Sequence, residues 1–189
     1  MITDMNKYID IGVNLTDSSF KKDIPQLIER AQQAGVEQLI VTGTNIQHSE
    51  KAIHLTEQYE SICYSTVGLH PHHASDYSSE LYTELSDMLK HRNTVAVGEC
   101  GLDFNRNYSS RKEQIRAFEA QLELAIDLQK PVFLHQRDAH EDFTSIIKAC
   151  RKELKQVVAH CFTGTIEELN DCLGLDMYIG VTGWICDER

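Results

Sequence analysis

Polar side chains that can bind a metal follow several short apolar runs of this 189-residue chain. The residues that stand in these places are Asp10, Asn14, His70, Glu99, Asp103, His135 and His160. Carboxylate and imidazole groups from separate segments form a ligand set suited to a divalent metal ion. The pattern therefore predicts a metal site, provided that the fold brings the ends of these runs together.

The candidates differ in how strongly their positions point to a metal. A single histidine after a strand is more often structural than a ligand. Glu99, His135 and His160 stand in equivalent positions after successive runs, and together they favour metal binding. Glu99 gains most from an ion, because a buried carboxylate is costly unless it is paired or metal-bound. His70 fits a substrate contact or a structural turn, and Asp103 fits a loop anchor or a support for a ligand.

Seven short apolar runs must supply the elements that position these residues. Each is too short for a helix and is rich in Val, Ile, Phe or Tyr, which predicts strands buried on both faces of a parallel sheet. The predicted strands are Tyr8–Val13, Gln38–Thr42, Tyr64–Leu69, Thr94–Gly98, Pro131–Leu134, Val157–Ala159 and Met177–Val181.

Helical patterns lie between the predicted strands. One helical pattern covers Ile24–Ala34 and stops at Gly35. Two others, over Ile115–Ala125 and Phe143–Cys150, carry one apolar face each. A capping box at Thr165–Glu168 opens a fourth. Such alternation fits a doubly wound open sheet or a (β/α)8 TIM barrel. No G-x-G-x-x-G turn follows the first strand, which argues against the open sheet. A closed parallel sheet brings every strand end to one face, so we predict the α/β barrel, as one domain over residues 1–189.

Composition limits the function classes. The net charge of −11 argues against broad electrostatic coating of DNA, but a metal-lined cleft that holds a few nucleotides is still allowed. No run of about 18 apolar residues predicts a membrane span. The first residues have no apolar signal segment, and the six cysteines suit reduced thiols. We therefore expect a cytoplasmic protein.

Several motifs resemble those of the TatD family of metal-dependent deoxyribonucleases. They are Gly98–Phe104, Pro131–His140, His160–Gly164, Tyr178–Trp184 and the shorter Gly68–His72, and matching segments run in order from about Tyr8 to Arg189. The resemblance implies a (β/α)8 barrel of the metal-dependent hydrolase type. It also implies a magnesium-dependent 3′–5′ exonuclease that acts on ends of single-stranded DNA or RNA as a monomer, with a role in DNA repair.

The resemblance also implies roles for individual residues. Glu99, His135 and His160 would be the metal ligands, with Glu99 able to bridge two ions. Glu99 and His70 would be the catalytic residues. The residues left as additional ligands or as supports for ligands are Asp10, Asn14 and Asp103.

Two departures from the family pattern affect these expectations. Many relatives open with D-x-H-x-H, where this chain has Asp10-Ile-Gly-Val-Asn14, and the loss of imidazoles favours oxygen ligands and Mg²⁺. The E-T-D-A-P segment of the family's last strand has no counterpart, and typical barrels need about 250 residues. We therefore expect a barrel that lacks its last strand–helix unit and is poorly stable and nearly inactive alone. Two alternatives remain: a metal-dependent ester or amide hydrolase such as an aminoacyl-tRNA deacylase, and an inactive remnant.

Overall fold

The computed structural model describes residues 7–186. Its seven strands form a single sheet in chain order, and every neighbouring pair is parallel. The strands are β1 (Tyr8–Val13), β2 (Val36–Val41), β3 (Cys63–Val67), β4 (Thr94–Asp103), β5 (Val132–Arg137), β6 (Val157–Ala159) and β7 (Tyr178–Ile179).

Six α-helices connect the strands, one after each strand from β1 to β6. They are α1 (Ile24–Gln33), α2 (Ile46–Gln58), α3 (Ser79–Met88), α4 (Arg111–Asp127), α5 (His140–Cys150) and α6 (Ile166–Gly174). Short 3-10 helices cover Ser18–Phe20, Pro71–Asp76 and Gly183–Cys186. None of the helices within residues 7–186 has the length and apolar character needed to cross a membrane.

The sheet curls until its two ends face each other. A cavity is lined on one side by Ile9–Gly12 of β1 and on the other by Gly180–Gly183, which follow β7. A methyl group built on Gly12 would lie 3.1 Å from Cε1 of His160. Within the described residues, β1 and β7 do not pair with each other. The predicted (β/α)8 architecture is confirmed, with seven strands in the part of the chain that the structure describes.

Every predicted strand overlaps an observed strand, but only Tyr8–Val13 and Val157–Ala159 match in both bounds. Strand β4 continues five residues beyond the predicted Thr94–Gly98, and β5 continues to Arg137. The apolar runs end where polar side chains begin, yet the backbone remains extended through them. Glu99 and His135 therefore lie within strands, not after them.

Helices α2 and α3 were not predicted from the sequence. Their apolar faces are modest, but each begins at a side chain that caps the helix. Asn45 Oδ1 accepts from the backbone N–H of His48, and Ser78 Oγ accepts from that of Leu81. Such caps satisfy N–H groups that a helix start leaves without partners. The capping box predicted at Thr165–Glu168 is confirmed at the start of α6.

Candidate metal centre

Three side chains from neighbouring strands meet near the carboxyl end of the sheet. Potential ligand atoms of His70, Glu99 and His135 all lie within 4.8 Å of one another. His135 Nδ1 is 3.1 Å from Glu99 Oε1, and His70 Nε2 is 3.6 Å from the same oxygen. This is the face where barrel enzymes place their active sites.

A β-bulge directs Glu99 into this cluster. Gly98 pairs with Phe133 and Cys100 pairs with Leu134, so Glu99 is an extra residue in β4. Bulges re-aim single side chains and are frequent beside active sites. Gly98 and Gly101 flank the bulge with φ of +137° and +136°, and a Cβ on either would lie about 2 Å from a β5 carbonyl oxygen. The two glycines therefore permit both the bulge and the close approach of β5.

Glu99 is 8% exposed and negatively charged at neutral pH. Burial opposes the charged form, but the hydrogen bond with His135 and the nearby imidazoles outweigh it and lower the pKa. Its ion-pair contacts within residues 7–186 are with two histidines and with no lysine or arginine. A buried anion of this kind is well suited to a bound cation.

His70 is uncharged at neutral pH and its tautomer is fixed. Burial lowers the pKa of His70 to about 3. The backbone N–H of His72 donates to His70 Nδ1 over 3.2 Å, so Nδ1 is an acceptor and Nε2 carries the proton. His70 Nε2 therefore presents an N–H donor to the space beside Glu99.

Asp103, at the end of β4, supports the cluster from behind. Its Oδ2 lies 3.3 Å from His135 Nε2 and 2.8 Å from His72 Nε2. With an ion bound, Nε2 of His135 would donate to Asp103, and Nδ1 would present its lone pair to the ion in place of the hydrogen bond with Glu99. Burial opposes the charge of Asp103, but hydrogen bonds from the Arg106 backbone and His72 lower its pKa.

Two buried glutamines of α4 hold the segments that carry these groups. Gln121 accepts from the Leu69 N–H and donates to the Leu69 carbonyl, at 2.7 and 3.0 Å. Gln114 does the same for Asp103, at 2.8 and 3.0 Å. Gln121 thus supplies hydrogen-bond partners to the backbone of Leu69, which follows β3, and Gln114 supplies them to the backbone of Asp103, where β4 ends.

The other predicted site residues lie apart from this cluster. His160 is outside the 4.8 Å group. It is still near enough to help lower the pKa of Glu99, and the charge of Asp10 acts to raise the pKa of His160. Burial lowers the pKa of His160. Asp10 is exposed and accepts from the Gly12 N–H at 3.2 Å. Asn14 lines a different cavity, together with Thr44 and His48.

Sequence reasoning did not identify His72 as part of the site. The 3-10 helix Pro71–Asp76 turns it back beside His70, with ring centroids 4.3 Å apart, and onto Asp103. Its spacing of two residues from His70, across a proline that starts a helical turn, was the only available signal.

The donor set fits a divalent cation. One buried carboxylate and the imidazole of His135 converge on one space, with further imidazoles beside it, and such mixed nitrogen and oxygen sets hold divalent metals in hydrolases. Parallel strands in a barrel that carry such a set define the class of metal-dependent barrel hydrolases.

The chain belongs to the TatD related DNase family, whose model matches residues 9–189. It is 53% identical over 180 residues to a protein of Erwinia tasmaniensis named 3′-5′ ssDNA/RNA exonuclease TatD, covering 95% of this chain and 70% of that one. The protein of the same name from Pantoea sp. is 52% identical, with 95% and 69% covered. The chain thus spans about 70% of the length of these relatives.

Solved structures agree with this assignment. A crystal structure of YJJV, a TatD homologue from Escherichia coli K12, matches with a TM-score of 0.87 at 31% identity, covering 96% of this chain and 70% of that one. A TatD family hydrolase from Entamoeba histolytica matches with a TM-score of 0.87 at 29% identity, covering 94% and 65%. The fold and the family assignment therefore agree.

Proposed function

We propose that this chain is a divalent-metal-dependent 3′–5′ exonuclease that hydrolyses phosphodiester bonds at the ends of single-stranded DNA and RNA. The observation that carries the proposal is the buried, negatively charged Glu99 between His70 and His135 at the carboxyl end of the sheet. The names of relatives about 50% identical to the chain supply the substrate class.

Glu99 and His135 are the residues we assign to hold the ion. Asp103 fixes His135 with Nδ1 facing Glu99, so the two donors are set before an ion arrives. His160, one of the predicted ligands, borders the same region from the end of β6, and we keep it as a further ligand. A divalent ion bound here would lower the pKa of water and offset charge on the phosphoryl group.

His70 is assigned to orient the substrate, because its fixed tautomer presents Nε2–H. An N–H donor can bind a phosphate oxygen, and a neutral ring does so without a change of protonation between about pH 5 and 8. Coordination through Nε2 would require that proton to leave while Nδ1 still accepts from His72. His70 is therefore better suited to phosphate than to metal.

We propose Mg²⁺ as the physiological ion. Gly12 and Asn14 stand where many relatives have imidazoles, which shifts the donor set toward oxygen, the ligand that Mg²⁺ prefers. Assays with Mg²⁺, Mn²⁺ and Zn²⁺ at equal free concentration test this choice. Activity with Zn²⁺ alone would contradict it.

The activity itself is tested with a 5′-labelled single-stranded oligonucleotide. We expect a ladder that shortens from the 3′ end, requires a divalent metal and stops on addition of EDTA. The reaction should be slow, because the 189 residues contain no counterpart of the E-T-D-A-P segment. Glu99→Gln should remove the activity while the thermal melting curve stays cooperative. Turnover of aminoacylated tRNA without cleavage of the oligonucleotide would replace the proposal with the ester hydrolase alternative, and loss of neither substrate would favour the inactive remnant.

A further inference from the structure

A cavity of about 640 Å³ opens directly beside the metal centre, because His135 and His160 form part of its wall. Its volume lies in the range of about 300–1,000 Å³ that is typical of ligand sites. Arg137 and Trp184 also line it. We propose that this cavity binds one unpaired nucleotide of the substrate, with the base stacked on Trp184 and a phosphate on Arg137; the inference rests on the proposed nuclease function.

Trp184 is the aromatic surface of the cavity. It lies in the 3-10 helix Gly183–Cys186 and is 59% exposed. Single exposed apolar side chains are common and need no function, but this indole faces a cavity that adjoins the metal centre and also contains a cation. Stacking on an aromatic ring binds any base, since every base has a π-face.

Arg137 is the cation that can reach a phosphate. It ends β5, two residues after His135, and is the only lysine or arginine among the described residues that line the cavity. With a chain charge of −11, affinity for phosphate depends on such individual cations. A planar guanidinium also binds phosphate through two parallel hydrogen bonds.

The two carboxylates of the cavity wall are directed to other partners. Asp138 Oδ2 accepts from Asn105 Nδ2 at 2.7 Å. Glu168 Oε2 accepts from the backbone N–H of Thr165 at 2.8 Å, as part of the capping box that starts α6. Within residues 7–186 neither carboxylate forms an ion pair with Arg137, so the guanidinium can bind a phosphate.

This arrangement also selects for single strands. A base inside a duplex is stacked on its neighbours, whereas an unpaired terminal base exposes a face that Trp184 can cover. Because stacking does not read base edges, the cavity should accept all four bases with small differences. The phosphodiester of the bound nucleotide then lies toward His135, the residue shared by the cavity and the metal centre.

The chain contains a single tryptophan, so its intrinsic fluorescence reports directly on Trp184. The experiment titrates a short oligothymidylate into the Glu99→Gln chain, which prevents turnover. An abasic oligonucleotide with the same number of phosphates is the matched control. We expect the thymidine oligonucleotide to quench the fluorescence and the abasic oligonucleotide to leave it nearly unchanged.

Variants separate stacking from charge. In anisotropy titrations with a labelled oligonucleotide, Trp184→Ala should weaken binding by about 5- to 150-fold, which corresponds to the usual contribution of one stacked base. Trp184→Phe should restore most of the affinity. Arg137→Gln should weaken the thymidine and abasic oligonucleotides alike and reduce the salt dependence of binding. Tyr178→Ala, which removes an aromatic of similar exposure outside the cavity, should have no effect.

The outcomes distinguish the cavity from the nuclease proposal. Equal quenching by the two oligonucleotides, or wild-type affinity in Trp184→Ala, would overturn the nucleotide site even if the chain degrades DNA. Base-dependent quenching in a chain whose wild-type form shows no hydrolysis would support the site and overturn the nuclease function. A loss of affinity in Trp184→Ala that Trp184→Phe does not recover would assign the tryptophan to folding and contradict stacking.

Discussion

Strands β3, β4 and β5 lie in the middle of the sheet, whereas β1 and β7 lie at its two ends. Nine of the ten residues of β4 are buried, while four of the six residues of β1 are exposed and none is buried. Large apolar side chains at the ends are open to solvent: Tyr8 and Ile9 are each 54% exposed and Tyr178 is 63% exposed.

The candidate site residues divide in the same way. His70, Glu99 and His135 follow or belong to the central strands and lie within 4.8 Å of one another. Asp10 on β1 and His160 after β6 lie nearer the two ends and stay outside that group. A strand with neighbours on both sides and a helix behind it fixes where its side chains point. The central residues are therefore placed by packing, whereas Asp10 lies on an exposed strand that has one neighbour.

The largest expected effect concerns stability. Phe143 is fully buried and stacks on Phe118 with ring centroids 5.6 Å apart. Phe143→Ala should lower the free energy of unfolding by about 3–5 kcal/mol, as large-to-small core substitutions do. Ile9→Ala, at an exposed position of β1, should cost less than about 1 kcal/mol. Urea unfolding of both variants measures these changes. Equal decreases in the free energy of unfolding would contradict the stronger packing of the centre of the molecule.

The next effect concerns the support of His135. Asp103→Asn keeps the shape of the side chain but removes the charge that accepts from His135 and His72. We expect divalent-metal affinity to fall about 10- to 100-fold, the usual consequence of removing a group that orients a histidine ligand. Calorimetric titration with Mn²⁺ measures it. Wild-type affinity would mean that Asp103 only anchors the loop of Asn105 and Arg106.

The third effect is a pH dependence of stability from His70. The pKa of His70 is about 3 in the folded chain against an ordinary value of 6.5, so below pH 6.5 the unfolded state binds more protons. The stabilising contribution is complete above pH 6.5 and is lost as the pH falls toward 3, with a slope of up to about 1.4 kcal/mol per pH unit.

Urea unfolding in EDTA between pH 4.5 and 7.5 isolates the contribution of His70 to the free energy of unfolding. The free energy of unfolding should fall with decreasing pH more steeply in the wild type than in His70→Gln. Identical slopes in the two chains would show that the folded and unfolded states protonate His70 equally, which would contradict the lowered pKa of His70.

Much of the fold followed from the sequence because buried parallel strands leave a readable pattern. The runs Tyr8–Val13 and Val157–Ala159 match β1 and β6 residue for residue. The extension of β4 through Glu99 and the bulge beside Gly98 left no such pattern, because polar residues inside a strand read as its end. Helices α2 and α3 were not predicted, although each begins at a side chain that caps it.

The candidate site was predictable where residue types sufficed and not where geometry decided. Glu99 and His135 are adjacent, as the strand order implied. The metal roles of both, and that of His160, stay predictions. The support of His135 by Asp103 was one of two alternatives left open, and the structure adds His72 to it. The positions of His72 and Asp103 are set by the chain where β3 and β4 end. Gln121 and Gln114 of α4 hold these two parts of the backbone.

The most direct test of the account is a Mn²⁺ titration of the wild type, Glu99→Gln and His160→Ala, each with its folding checked by circular dichroism. If the ion is held chiefly by the central strands, the titration of Glu99→Gln should show no Mn²⁺ binding at this site. His160→Ala should retain the site with weaker affinity. Wild-type binding in Glu99→Gln, with loss only in His160→Ala, would contradict a metal centre built on β4 and β5.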